Sequence, residues 1–306
     1  MRDRTFIQQA YTGKIGQWKY VIPVFLFFGL MGLNILFSYL MDIDQSEIIA
    51  EQIEADGKNF TFFTLLIPFA FLLFFLFIYV KFVHQQSIKS LTTSRKKIDW
   101  SRVGFSFLLV SIFISLMTFG DYFFRPDAYE MNFDFSQFIV LAAIAIILVP
   151  IQTSFEEYMF RGYLMQGIGV ISRYRWVALI LTSLIFGLMH FANPEVSVLG
   201  PVIMISYIGT GFLLGIMTLM DEGLELALGF HAGNNLITAL LVTANWTAFQ
   251  TDSVLIYTEK PTAGFDVLIP VLVIYPIYLL IMAKVYKWKN WNSKLFGKVE
   301  LPDNEL

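Results

Sequence analysis

The stretch FIVLAAIAIILVPIQTSFEEYMFRGYLMQGI, residues 138–168, decides the fold class. From Phe138 to Val149 every side chain is apolar. Glu156-Glu157-Tyr158-Met159-Phe160-Arg161 follows with no turn signal before it, and apolar helical character resumes at Met159 and runs to Ile168. A run of this length, at ~1.5 Å per residue, exceeds the ~30 Å core of a bilayer. Pro150 is the expected place for a kink. Charges inside a spanning helix are costly and mark function more often than not. The fold and the chemistry therefore meet in one segment.

The rest of the chain agrees with a membrane reading. Of its 306 residues 57% are apolar and 15% charged, with a mean hydropathy of +0.64 and 32 phenylalanines. A soluble domain carries roughly 25% charged residues, so a polar surface cannot cover this chain. Eight apolar segments are long enough to cross a bilayer. They lie at about Tyr20–Leu40, Phe60–Val80, Val103–Gly120, Phe138–Gln166, Trp176–Ala192, Val198–Met220, Leu224–Ala244 and Val267–Ala283. The first lacks small residues at Leu40-Met41-Asp42 and reads as a retained helix, not a cleaved signal.

Basic residues set the expected orientation. Segments 1–19, 81–102, 156–175, 221–223 and 284–306 hold 18 of the 21 Lys and Arg; 41–59, 121–137, 193–197 and 245–266 hold only Lys58, Arg125 and Lys260. The expectation is an all-α polytopic membrane protein of about eight transmembrane helices, N-in and C-in. Residues 1–306 form a single membrane domain with no soluble domain, linker or repeat. The acidic loop with Asp42, Asp44, Glu47, Glu51, Glu54 and Asp56 reads as a short amphipathic helix. Lys287-Trp288-Lys289-Asn290-Trp291 reads as an interfacial anchor. His84, in a basic loop, also reads as interfacial.

A net charge of −3 excludes a nucleic-acid binder that depends on bulk positive charge. The absence of cysteine removes thiol nucleophiles, thiolate zinc sites and disulfides. No His-Glu-x-x-His, Gly-x-Ser-x-Gly or Gly-x-Gly-Asp motif is present.

Three polar constellations remain. Glu157 and Arg161 share a helix face at i, i+4 and pair, which leaves Glu156, about 100° away, unpaired. Phe186 and His190 share a face in the fifth segment. His231 and Asn235 do so in the seventh, where Gly229 and Gly233 form a small-residue patch suited to close helix approach. Each has a plainer explanation: a water-facing helix end, a structural salt bridge, a packed histidine, a packing motif. Helix length argues for convergence. Glu156 and Val170, like Trp176 and His190, are 14 residues apart, so a hairpin with its tip near Arg173 sets Glu156 and His190 at one depth. By the same count His231 lies only about 10 Å into its helix, and its match requires tilt or a different helix start.

Glu156-Glu157-x-x-Phe160-Arg161-Gly162, Phe186-x-x-x-His190 and His231-x-x-x-Asn235 together resemble the three motifs of the CAAX prenyl protease and bacteriocin-processing family. These are intramembrane glutamic endopeptidases related to the type II CAAX prenyl endopeptidases. The resemblance covers about residues 138–245, which becomes the expected catalytic core region. It implies that Glu156 activates a water with help from His190, that His231 and Asn235 form the oxyanion site, and that Glu157, Arg161 and Phe186 support it. A carboxylate held out of water is a better general base, and donors in a dry site stabilise an oxyanion strongly.

No cofactor is expected on this reading. Zinc held by Glu156, His190 and His231 is the alternative, since two histidines and a carboxylate form a valid ligand set. The expected partners are the lipid bilayer and a membrane-associated peptide or protein substrate, with no nucleic acid. The expected location is a bacterial cytoplasmic membrane. Two other functions remain open at this point: a non-catalytic membrane partner or immunity-type protein on the same scaffold, and a proton-coupled transporter.

Overall fold

The computed structural model describes residues 4–41, 45–259, 264 and 267–301. Each of the eight apolar segments is helical over most of its length. The helices are α1 (Gln17–Met41), α3 (Lys58–Phe82), α5 (Trp100–Phe124), α6 (Phe135–Glu157), α8 (Arg175–Leu188), α10 (Met204–Asp221), α11 (Glu225–Leu241) and α12 (Tyr275–Val285). Between them lie the short helices α2 (Gln45–Asp56), α4 (Ile88–Thr92), α7 (Met165–Ser172) and α9 (Pro194–Leu199), and α13 (Trp291–Phe296) follows α12. The acidic segment is thus helical from Gln45, while Asp42, Asp44 and Lys260 lie outside the described residues.

Among the described residues, five helical stretches are long and apolar enough to cross a membrane: Gln17–Met41, Lys58–Phe82, Trp100–Phe124, Phe135–Ser172 and Pro201–Asp221. The helices of the fifth, seventh and eighth segments are shorter. Burial explains the case of α11. Its first residue, Glu225, is fully buried, and Leu224 packs beside Gly162, ten residues before the end of α7. The helix therefore starts inside the bundle, so its seventh residue, His231, reaches the depth of Glu157. Helix α8 unwinds at Met189, and its hairpin with α7 turns at Arg173, which adopts φ +66°.

Helix α6 runs through Pro150 and passes into a π-helical stretch, Tyr158–Leu164, before α7. Short π segments inside α-helices recur at functional sites. Against α11 packs α5, and glycine makes the approach possible. A Cβ on Gly233 would lie 2.8 Å from the Phe107 carbonyl, and one on Gly229 would collide with the Val103 carbonyl. Large apolar side chains such as Phe25, Phe74, Phe75 and Leu116 stay exposed on α1, α3 and α5. That exterior suits acyl chains rather than water.

Loops gather at two ends. At one, Phe6 N–H donates to Glu222, which also pairs with Arg175 at 3.2 Å, and Val299 bonds to the Arg173 carbonyl. The loop after α3 enters this end, where Thr92 bonds to Tyr158. At the other end a small sheet forms that the sequence reading did not anticipate. Its strands β1 (Tyr129–Met131), β2 (Val242–Thr243) and β3 (Leu255–Tyr257) pair in the order β1-β3-β2. Lys58–Asp252 and Arg125–Glu259 ion pairs lie at the same end. This grouping matches the partition by charge, with one correction. Arg161 belongs to neither end; it is fully buried mid-helix.

Candidate active site

The buried charges on α6 and its π extension organise the site. Arg161 Nη1 donates to Glu157 Oε1 at 2.8 Å, and both side chains are 0% exposed. The π stretch keeps the two on one face, as the i, i+4 spacing implied. Arg161 Nη2 donates to the Gly211 carbonyl of α10 at 3.2 Å, and its guanidinium lies 4.0 Å from the Phe186 ring centroid. Glu157 Oε1 accepts a second bond, from His231 Nδ1, at 2.8 Å. A carboxylate already paired with arginine only accepts, so His231 carries its proton on Nδ1 and turns Nε2 toward Glu156.

Glu156 is placed differently. Its Oε1 accepts from Gln152 Nε2 at 2.5 Å, and its Oε2, like Glu157 Oε2, has no hydrogen-bond partner among the described residues. His231 Nε2 stands 3.6 Å from that oxygen, beyond hydrogen-bond length. Gln152 Oε1 accepts from Asn235 Nδ2 at 3.4 Å, and Asn234 donates to Asn235 Oδ1 at 3.0 Å. One glutamine therefore links the free carboxylate to the amide of the third motif.

His190 sits in the turn just after α8. Its Nδ1 is 2.9 Å from the Phe186 carbonyl, an acceptor, and its ring stacks on Tyr207 at 4.5 Å and 13°. Phe186 is the common neighbour, with ring centroids 5.0 Å from His190 and 5.9 Å from His231. Glu156, Phe186, His190, His231 and Asn235 all line one cavity of about 1480 Å³. Glu157 and Arg161 lie behind it. Of the two histidines, His231 is the one held beside Glu156 by a hydrogen bond to the adjacent carboxylate.

Residues 135–237 match the family model described as "Type II CAAX prenyl endopeptidase Rce1-like". Over that core, the chain is similar to this family. It is also similar to the "Uncharacterized protein YyaK" of Bacillus subtilis (strain 168), 34% identical over 165 residues, which are 54% of this chain and 55% of that protein. The match thus spans about half the length of each. No solved structure matches. The family is one of membrane proteases, and the long apolar helices make this chain an integral membrane protein. All three motifs lie within the matched span.

The sequence reading missed Gln152, Tyr207 and the Gly211 carbonyl. Gln152 carried a signal, as a polar side chain one helical turn before Glu156 in an apolar run. Among the described residues no three His, Asp or Glu side chains are grouped to hold a metal ion. His84 is also corrected. It is 2% exposed, 3.0 Å from the Tyr163 hydroxyl and packed on Tyr20, so it is a core residue.

Proposed function

We propose that this chain is an intramembrane endopeptidase in which Glu156 activates a water molecule for attack on a peptide carbonyl. One observation carries the reading. Of two adjacent carboxylates in a spanning helix, Glu157 is held by Arg161 and His231 behind the cavity, while Glu156 lines the cavity together with both histidines, its Oε2 3.6 Å from His231 Nε2. A structural salt bridge needs only one of the two. The second is the general base: it takes a proton from water as the water oxygen bonds to the carbonyl carbon. Asn235 Nδ2 and His231 Nε2, when the latter carries a proton, donate to the oxygen that gains charge. The proton on Glu156 then passes to the leaving amine as the C–N bond breaks. His190, anchored through Nδ1, orients the water from the other side of Phe186. No step requires a metal ion.

The substrate in this reading is a membrane-associated peptide or protein. Leu30 of α1 with Phe71 and Phe75 of α3 supplies apolar cavity wall, which suits a lipid-embedded segment. The excess of Lys and Arg supports both termini facing the cytoplasm, and the Bacillus relative supports a bacterial cytoplasmic membrane. The test is a comparison of membrane and secreted peptides from cells carrying wild type or Glu156→Gln. Peptides with new C-termini that vanish in the variant support a protease. Identical peptide profiles at equal expression overturn the proposal.

A further inference from the structure

Away from the cavity, a second crevice of about 290 Å³ opens where the start of α5, the end of α10 and the segment after α12 meet. We propose that it binds the phosphate of an anionic phospholipid. Five cationic side chains line it, Arg95, Arg102, Lys287, Lys289 and Lys294, against one carboxylate, Asp221. Arg95 and Arg102 are committed to Asp221, and Lys294 is bonded to the Met220 carbonyl. Lys287 and Lys289 have no ion-pair or hydrogen-bond partner among the described residues and stay exposed. The field that a ligand meets therefore comes from these two lysines, in front of arginines already neutralised.

The backbone is shaped to present them. Lys287 and Asn290 both take positive φ, 53° and 58°, an uncommon state for residues other than glycine. Between them Trp288 turns inward and donates to Asp221 Oδ1 at 3.1 Å. The inward tryptophan closes the floor, and the lysines on either side of it form the rim. The guanidinium of Arg102 stacks 4.0 Å from the Tyr286 ring, which makes the adjoining wall rigid.

Position selects a lipid over a free anion. The crevice begins where the exposed apolar face of α12, with Ile277, Leu280 and Val285, ends. Trp291 is partly exposed beside it. Acyl chains along α12 set a headgroup phosphate level with Lys287 and Lys289. Basic crevices between membrane helices recognise anionic headgroups in this way. This end also carries the chain's basic surplus, the side that faces anionic lipid under the positive-inside rule.

The test uses the full chain, purified in detergent and stripped of lipid, with binding read by native mass spectrometry. The probes are dioleoyl phosphatidylglycerol, dioleoyl phosphatidylcholine and inorganic phosphate. The expected result is one phosphatidylglycerol bound at least tenfold more tightly than phosphatidylcholine. Lys287→Gln with Lys289→Gln should weaken that binding by about 30-fold, from the ordinary contribution of two lysines near an anionic headgroup. Lys96→Gln with Lys97→Gln removes the same charge at the same end, outside the crevice, and should change it less than threefold. Equal binding of both lipids overturns the proposal, as does an equal loss in the two lysine pairs. Inorganic phosphate bound as tightly as the lipid overturns it too.

Discussion

Replacing Glu157 with glutamine should destabilise the protein far more than the equivalent change at Glu156. Glu157 Oε1 accepts from Arg161 Nη1 and His231 Nδ1, each at 2.8 Å, and both carboxylate and guanidinium are fully buried. An amide carries no charge to offset Arg161, and water cannot reach the guanidinium to replace it. Removing one partner of a buried pair costs about 3–5 kcal/mol. In a chain of this size that corresponds to a fall in melting temperature of about 10 °C. The assay is thermal unfolding in a fixed detergent, with Glu156→Gln as the adjacent control. Adding Arg161→Met to Glu157→Gln removes the stranded charge, so the double variant should recover most of the loss. Two results refute the reasoning: a Glu157→Gln melting temperature within about 2 °C of wild type, or a double variant no more stable than the single one.

Enlarging Gly233 to valine pushes a side chain toward the Phe107 carbonyl and should cost about 1–3 kcal/mol, read as a lower melting temperature. Burial pushes the His84 imidazole down to about 4 from its usual 6.5. The unfolded chain then binds more protons in that window, so stability should fall as pH drops from 6.5 toward 4, with a smaller fall in His84→Asn. Elemental analysis of active protein should find far less than one zinc per chain. Stoichiometric zinc, lost in His231→Ala together with activity, would replace the acid–base roles with ligand roles. Reporter fusions after Lys97 and Lys298 should read cytoplasm, and a fusion near Asp127 the outside.

The apolar runs were legible because hydropathy over twenty residues needs no tertiary information. The Glu157–Arg161 contact was legible for a similar reason, since i, i+4 geometry survives the change from α to π winding. The tip at Arg173 followed from counting helix length. His231 resisted that arithmetic, because the counting placed its helix start at the membrane surface. Leu224 beside Gly162 starts the helix inside the bundle instead. His84 misled because its neighbours in sequence are basic, while its neighbours in space are Tyr20, Tyr79 and Tyr163. Strands of two or three residues leave no alternation to detect, so the sheet at one end was invisible. The second bond of Glu157 Oε1, to His231 on another helix, was beyond any local spacing rule.

Purified wild type and Glu156→Gln, matched in melting temperature, should be incubated with one peptide library in water enriched in oxygen-18. The account predicts new C-termini carrying the heavy oxygen from wild type. It predicts a loss of at least about 10²–10⁴-fold in their rate of appearance from the variant. Equal rates from both proteins, or no cleavage of any peptide by wild type, would contradict it.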